Sequence, residues 1–148
     1  MKKVLMFLFS IFLFSTAYCW ETREIVDEFR DGTGEVRILQ FDDKGTSCLF
    51  VEKHKEDLII GFATEYIGGK GKNGTSNIKI KIDNNDPVPG IGVVSKKGYI
   101  VIDFLTPKLL EQMKKGKIIK VIIEKSNDDT IFLMFELKGF SEVLKKVK

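Results

Sequence analysis

Short runs that alternate apolar and polar residues, each closed by a turn signal, restrict this chain more than any other feature. The cleanest is Ile78-Lys79-Ile80-Lys81-Ile82. An extended chain puts its three isoleucines on one side and its two lysines on the other, whereas a helix would scatter them. Residues 35–41 repeat the pattern, and strand-like runs recur at 24–29, 46–52, 57–66, 91–95, 99–104, 118–124 and 130–137. Between them stand Asp31-Gly32-Thr33-Gly34, Asp42-Asp43-Lys44-Gly45, Lys96-Lys97-Gly98 and Ser126-Asn127-Asp128-Asp129, all rich in residues that tolerate tight turns. Residues 83–90 read as a loop, because Pro87 and Pro89 cannot donate to a ladder.

Helical signals come late and twice. Thr106 is an N-cap residue with Pro107 at the first helical position; Leu109, Leu110 and Met113 make an apolar stripe, Lys114 and Lys115 suit the carbonyl end, and Gly116 stops the helix. Phe140, Val143, Leu144 and Val147 then space an amphipathic helix opening at Ser141, with Gly139 as the hinge before it. A doubly wound fold needs a helix between most strands, and those are missing. The expected fold is all-β, mainly an antiparallel β-sandwich or flattened barrel, with two short helices near the C-terminus.

The first 19 residues differ from the rest. Met1-Lys2-Lys3 is a positive start, residues 4–14 are apolar, and Ser15-Thr16-Ala17 supply small side chains before the charges begin at Glu21. This is the pattern of a secretory signal peptide. Cleavage fits before Tyr18 or before Trp20. An uncleaved anchor needs roughly 20 apolar residues, for which the uncharged stretch from Val4 to Trp20 is only marginal. A lipoprotein would be acylated at Cys19, but Tyr18 is bulky where such a site takes Gly or Ala. The expected organisation is a signal peptide at 1–19 and a single β-sandwich domain at 20–148, periplasmic or secreted, with a membrane-anchored lipoprotein as the alternative. No integral membrane span remains after cleavage.

Loss of Lys2 and Lys3 lowers the formal charge from +3 to +1, too little for the concentrated basic face of a nucleic-acid binder. Two cysteines, Cys19 and Cys48, exclude a disulfide scaffold. Cleavage before Tyr18 leaves both, able to pair in an oxidising compartment; cleavage before Trp20 leaves Cys48 alone as a small buried hydrophobe.

No catalytic constellation stands out. His54, the single histidine, lies between Lys53 and Lys55 in a polar turn, which removes the usual histidine-dependent hydrolases. Asp27, Glu28, Asp31 and Glu35, or Asp83-Asn84-Asn85-Asp86, offer oxygen ligands without EF-hand spacing, and solvated turns account for both. A carboxylate pair for glycoside hydrolysis, Asp27 or Glu28 with Asp103, has no spacing to support it. Gly68-Gly69-Lys70-Gly71-Lys72-Asn73-Gly74 lacks the ending of a phosphate loop. It reads as a mobile tip whose Lys70, Lys72 and Asn73 are candidate partner contacts. Lys79 and Lys81, joined by Lys117 and Lys120 if their strands are neighbours, read either as protection of an edge strand or as a patch for anionic lipid or glycan.

The C-terminal third carries a resemblance. Leu109-Leu110-Glu111-Gln112-Met113-Lys114-Lys115-Gly116-Lys117, a strand, an acidic turn, and then Phe132-Leu133-Met134-Phe135-Glu136-Leu137-Lys138-Gly139-Phe140-Ser141-Glu142-Val143-Leu144 follow one order. It resembles the invasion-associated locus B family of exported bacterial proteins, and Trp20 near the mature start suits that family. The family's further cysteines are absent, since only Cys48 lies in the body of the domain. The resemblance implies a β-sandwich in the periplasm or at the surface. It carries over no catalytic residue, because the family has no established enzymatic activity. The expected function is an exported binding or interaction protein without catalysis or cofactor, its partner an unknown protein or envelope component. A small exported hydrolase, or an inhibitor of one, is the alternative.

Overall fold

The computed structural model describes residues 20–24, 36–54, 56–65, 74–95, 98–125 and 129–147. Nine strands make one antiparallel sheet: β1 (Trp20–Glu24), β2 (Val36–Phe41), β3 (Ser47–His54), β4 (Asp57–Thr64), β5 (Gly74–Ile82), β6 (Val88–Val94), β7 (Tyr99–Ile102), β8 (Ile118–Glu124) and β9 (Thr130–Glu136). Two short helices, α1 (Pro107–Lys115) and α2 (Phe140–Lys146), complete the described elements. The strands lie in the order β1-β2-β3-β4-β7-β6-β5-β8-β9. Strands β1 to β4 form a meander, β7, β6 and β5 run back, and α1 lies in the crossover from β7 to β8.

The alternation seen in the sequence sets the inner face. Ile78, Ile80 and Ile82 of β5, Ile119, Val121 and Ile123 of β8, and Ile131, Leu133 and Phe135 of β9 are buried in one core with Ile38, Leu49, Val51, Ile60 and Phe62. Burying each such side chain contributes about 1.5–3 kcal/mol. The sheet curls to share this core, because Phe62 of β4 stacks on Phe135 of β9, ring centroids 6.0 Å apart, although four strands separate them in the sheet. The fold expected as a sandwich or flattened barrel is thus one sheet folded over on itself, open between β1 and β9. Leu109 and Met113 of α1 and Phe140 and Val143 of α2 close the core.

A second, smaller cluster of Leu39, Cys48 and Phe50 lies on the opposite face of β2 and β3, with Tyr99 and Val101 packed against it. The Arg37 guanidinium caps it, 4.5 Å from the Phe50 ring centroid, and pairs with Glu52. Gly61 makes room for this cluster. A Cβ there would lie 2.4 Å from both the Ile100 carbonyl oxygen and the Phe50 ring.

Two expectations need correction, and a third lies outside the described residues. The first described strand is Trp20–Glu24, whereas the expected strand at 24–29 falls, apart from Glu24, outside the described residues. Val88, Pro89 and Gly90 belong to β6 and not to a loop. Pro89 sits opposite Lys79 of β5, while β6 pairs with β7 only from Gly92 onward, so the missing N–H falls where one side of the strand has no ladder partner. His54 ends β3 opposite Asp57, in the ladder and not in a turn.

Candidate interaction face

The registers of β6, β5, β8 and β9 lay out an outward-facing grid. Pro89, Lys79, Ile122 and Phe132 stand in one cross-strand row, and Lys81, Lys120 and Met134 in the next. Phe132 is 60% exposed, Met134 48% and Ile122 38%. These three form a contiguous apolar strip at the end of the sheet, flanked by the lysines of β5 and β8. Single exposed apolar residues are ordinary, whereas large contiguous patches rimmed by polar groups are common at contact surfaces.

The lysines are not equivalent. The Lys79 ammonium lies 3.1 Å from Glu124, whose carboxylate also accepts from the Asn77 amide. The hydrogen bond and charge of Lys79, then the Asn77 hydrogen bond, outweigh slight desolvation and hold the Glu124 carboxyl below its usual range. Lys81 and Lys120 instead stand directly opposite each other. Neither has a carboxylate partner among the described residues. Like charges directly opposite in a ladder repel and weaken the pairing. The edge-strand explanation of these lysines does not hold, because β5 is paired on both sides.

A cavity of about 180 Å³ opens where β2 approaches β9, lined among others by Gln40, Asp42, Asp43, Met134, Phe135 and Glu136. Gln40 is 5% exposed, and its carbonyl oxygen Oε1 has no hydrogen-bond partner among the described residues. The Asp42 carboxyl is pushed up by desolvation. Hydrogen bonds from the Ser47 and Thr46 amides, the Thr46 hydroxyl and Gly45 overcome that and leave it below the ordinary aspartate value. Asp42 therefore builds the β2–β3 turn. The third shifted carboxyl, Glu111, is lowered by its hydrogen bond and ion pair with Lys114 on α1 and does not line the cavity. No group of three or more His, Cys, Asp or Glu side chains among the described residues is placed to hold a metal ion.

The sequence candidates fare unevenly. Lys70, Lys72, Asn73 and Cys19 lie outside the described residues, as do Asp27, Glu28, Asp31 and Glu35. Cys48 is buried in the small outer cluster. Asp83 does structural work: its carboxylate accepts from the amides of Lys117 and Ile118, which fixes the start of β8. The structure unites Lys79, Lys81 and Lys120, and adds Ile122, Phe132 and Met134, which sequence reasoning missed. A signal was present: Ile131-Phe132-Leu133-Met134-Phe135 is apolar at every position, so one face of that strand had to be apolar beyond the core.

A family model described as invasion associated locus B (IalB) protein matches residues 68–148, more than half of the chain. The chain belongs to the IalB family. The match spans β5 to α2 and so includes the whole of this face. The crystal structure of invasion associated protein B from Bartonella henselae is similar in fold to this IalB family member. It superposes with a TM-score of 0.58 at 12% identity over 87% of this chain and 91% of that one. A search of curated proteins found no match.

Proposed function

We propose that this IalB family member is an exported binding protein without catalytic activity, and that the outer face of β5, β8 and β9 is its contact surface. The observation that carries the reading is the strip of Ile122, Phe132 and Met134, left exposed beside lysines on strands held in a ladder. Rigid elements hold a contact surface in place at low entropic cost. An enzyme calls for ionisable groups of shifted pKa converging in a cleft. Among the described residues, Asp42 alone of the shifted carboxyls lines the cavity, and its shift arises from its own turn. Export rests on the signal-peptide pattern of residues 1–19.

Two measurements test this. The mass of the protein recovered outside the cytoplasm is expected to correspond to a start at Tyr18 or Trp20; unprocessed precursor in the cytoplasm overturns export. The exported Phe132→Ser/Met134→Ser double variant is expected to keep its thermal stability and lose association with envelope or host-cell surface fractions. Undiminished association overturns the contact surface.

A further inference from the structure

We infer that the occupant of the β5–β8–β9 face is an anionic phospholipid surface, which Lys81 and Lys120 engage through lipid phosphates while Phe132, Met134 and Ile122 enter the headgroup region. The inference rests on the contact surface proposed above and names its target.

Charge is the first argument. Lys79 is neutralised by Glu124, but Lys81 and Lys120 face each other across the ladder without a carboxylate partner among the described residues. The pair weakens its own ladder, and an external anion would turn that repulsion into attraction. A phosphate layer supplies such anions at any position along the row, and polybasic surfaces gain from it with each lysine.

Composition is the second. Cores of protein–protein interfaces are depleted in lysine, yet here Lys120 stands between Lys81 and Met134 and next to the Ile122 row. Lysine stems lie along apolar surface and lift the ammonium to headgroup height, which suits a membrane boundary. Position is the third. Ile122, Phe132 and Met134 stand on the outer side of the curled sheet, opposite the side that holds the core, so they are presented outward to a broad surface.

Vesicle co-sedimentation of the exported protein tests the inference, with phosphatidylcholine vesicles against vesicles carrying about a third phosphatidylglycerol. Binding is expected on the anionic vesicles alone, weakened about tenfold or more near 0.5 M salt. Lys81→Gln/Lys120→Gln is expected to reduce it about tenfold, and Phe132→Ser/Met134→Ser to reduce it as well. The glutamine variant relieves a repulsion, so its fold is expected to be at least as stable as wild type, as thermal melting will show. Equal binding to both vesicle types, or binding that both variants leave unchanged, overturns the inference. No vesicle binding, with loss of cell-surface association in the Phe132→Ser/Met134→Ser protein, overturns the lipid target and leaves the contact surface standing with an acidic protein as partner. Sedimentation showing a dimer that these variants dissolve overturns it in favour of a second copy.

Discussion

Asp42 shows how much a single carboxylate can organise. It takes hydrogen bonds from the Thr46 amide at 2.9 Å, from the Thr46 hydroxyl at 3.1 Å and from the Ser47 amide at 3.3 Å, and so closes the turn between β2 and β3. Its pKa is lowered on folding, so its contribution is complete above the unfolded aspartate value of about 3.9 and is lost as pH falls through the folded value. Asp42→Asn is expected to be less stable than wild type at neutral pH in urea titrations, with the gap narrowing as pH drops below about 4. A gap that is constant with pH would show that ionisation plays no part. Gln40 is the opposite case. Its buried oxygen lacks a partner among the described residues, and a buried group left unpaired costs about 1–3 kcal/mol. Gln40→Met, similar in length, is expected to raise stability by about 1 kcal/mol in the same titrations. A loss would mean that the amide has a partner in solution. The turn was legible from Asp42-Asp43-Lys44-Gly45. The burial of Gln40 was not, because it depends on β9, far along the chain.

At the scale of elements, local chemistry spoke clearly. The Leu109 amide donates to the Thr106 hydroxyl at 3.2 Å, Pro107 follows it, and Leu109 and Met113 are buried, all as the spacing of residues 106–116 implied. Thr106→Ala is expected to cost about 1 kcal/mol, read from the denaturation midpoint. Thr106→Ser should recover most of it, since the hydroxyl is the group at work. Gly139 was legible for a similar reason: the chain turns there from β9 into α2 at φ 83°, where a Cβ strains the backbone. Pro89 misled, because a proline reports only its own missing donor. Whether that donor was needed depends on where β6 stops pairing with β7, which no local pattern records. His54 misled likewise: flanking lysines suggested a turn, but its ladder partner Asp57 was only three residues on.

The whole molecule poses the question that alternation leaves open, namely which strand lies beside which. Pairing β4 with β7 and β5 with β8 joins residues far apart in sequence, and the alternating runs are compatible with many such orders. The curl adds a further consequence. The sheet ends at β1 and β9, so its ends are held by side chains and not by a ladder. Trp20 is the main clasp on the β1 side: its indole N–H donates to the Lys138 carbonyl at 2.8 Å, and its ring lies 6.1 Å from Phe140. Strands β5 and β8 have partners on both sides and isoleucine or valine faces in the core, so their amides are expected to open only with the whole fold. Hydrogen exchange is expected to be slowest in β5 and β8 and fastest in β1. Trp20→Phe keeps a ring against Phe140 and loses the hydrogen bond, worth about 0.5–1.5 kcal/mol. Its exchange is expected to quicken in β1 and β2 and stay unchanged in β5 and β8. Uniform acceleration across all nine strands would mean that the open sheet has no separable end and that Trp20 holds the core itself.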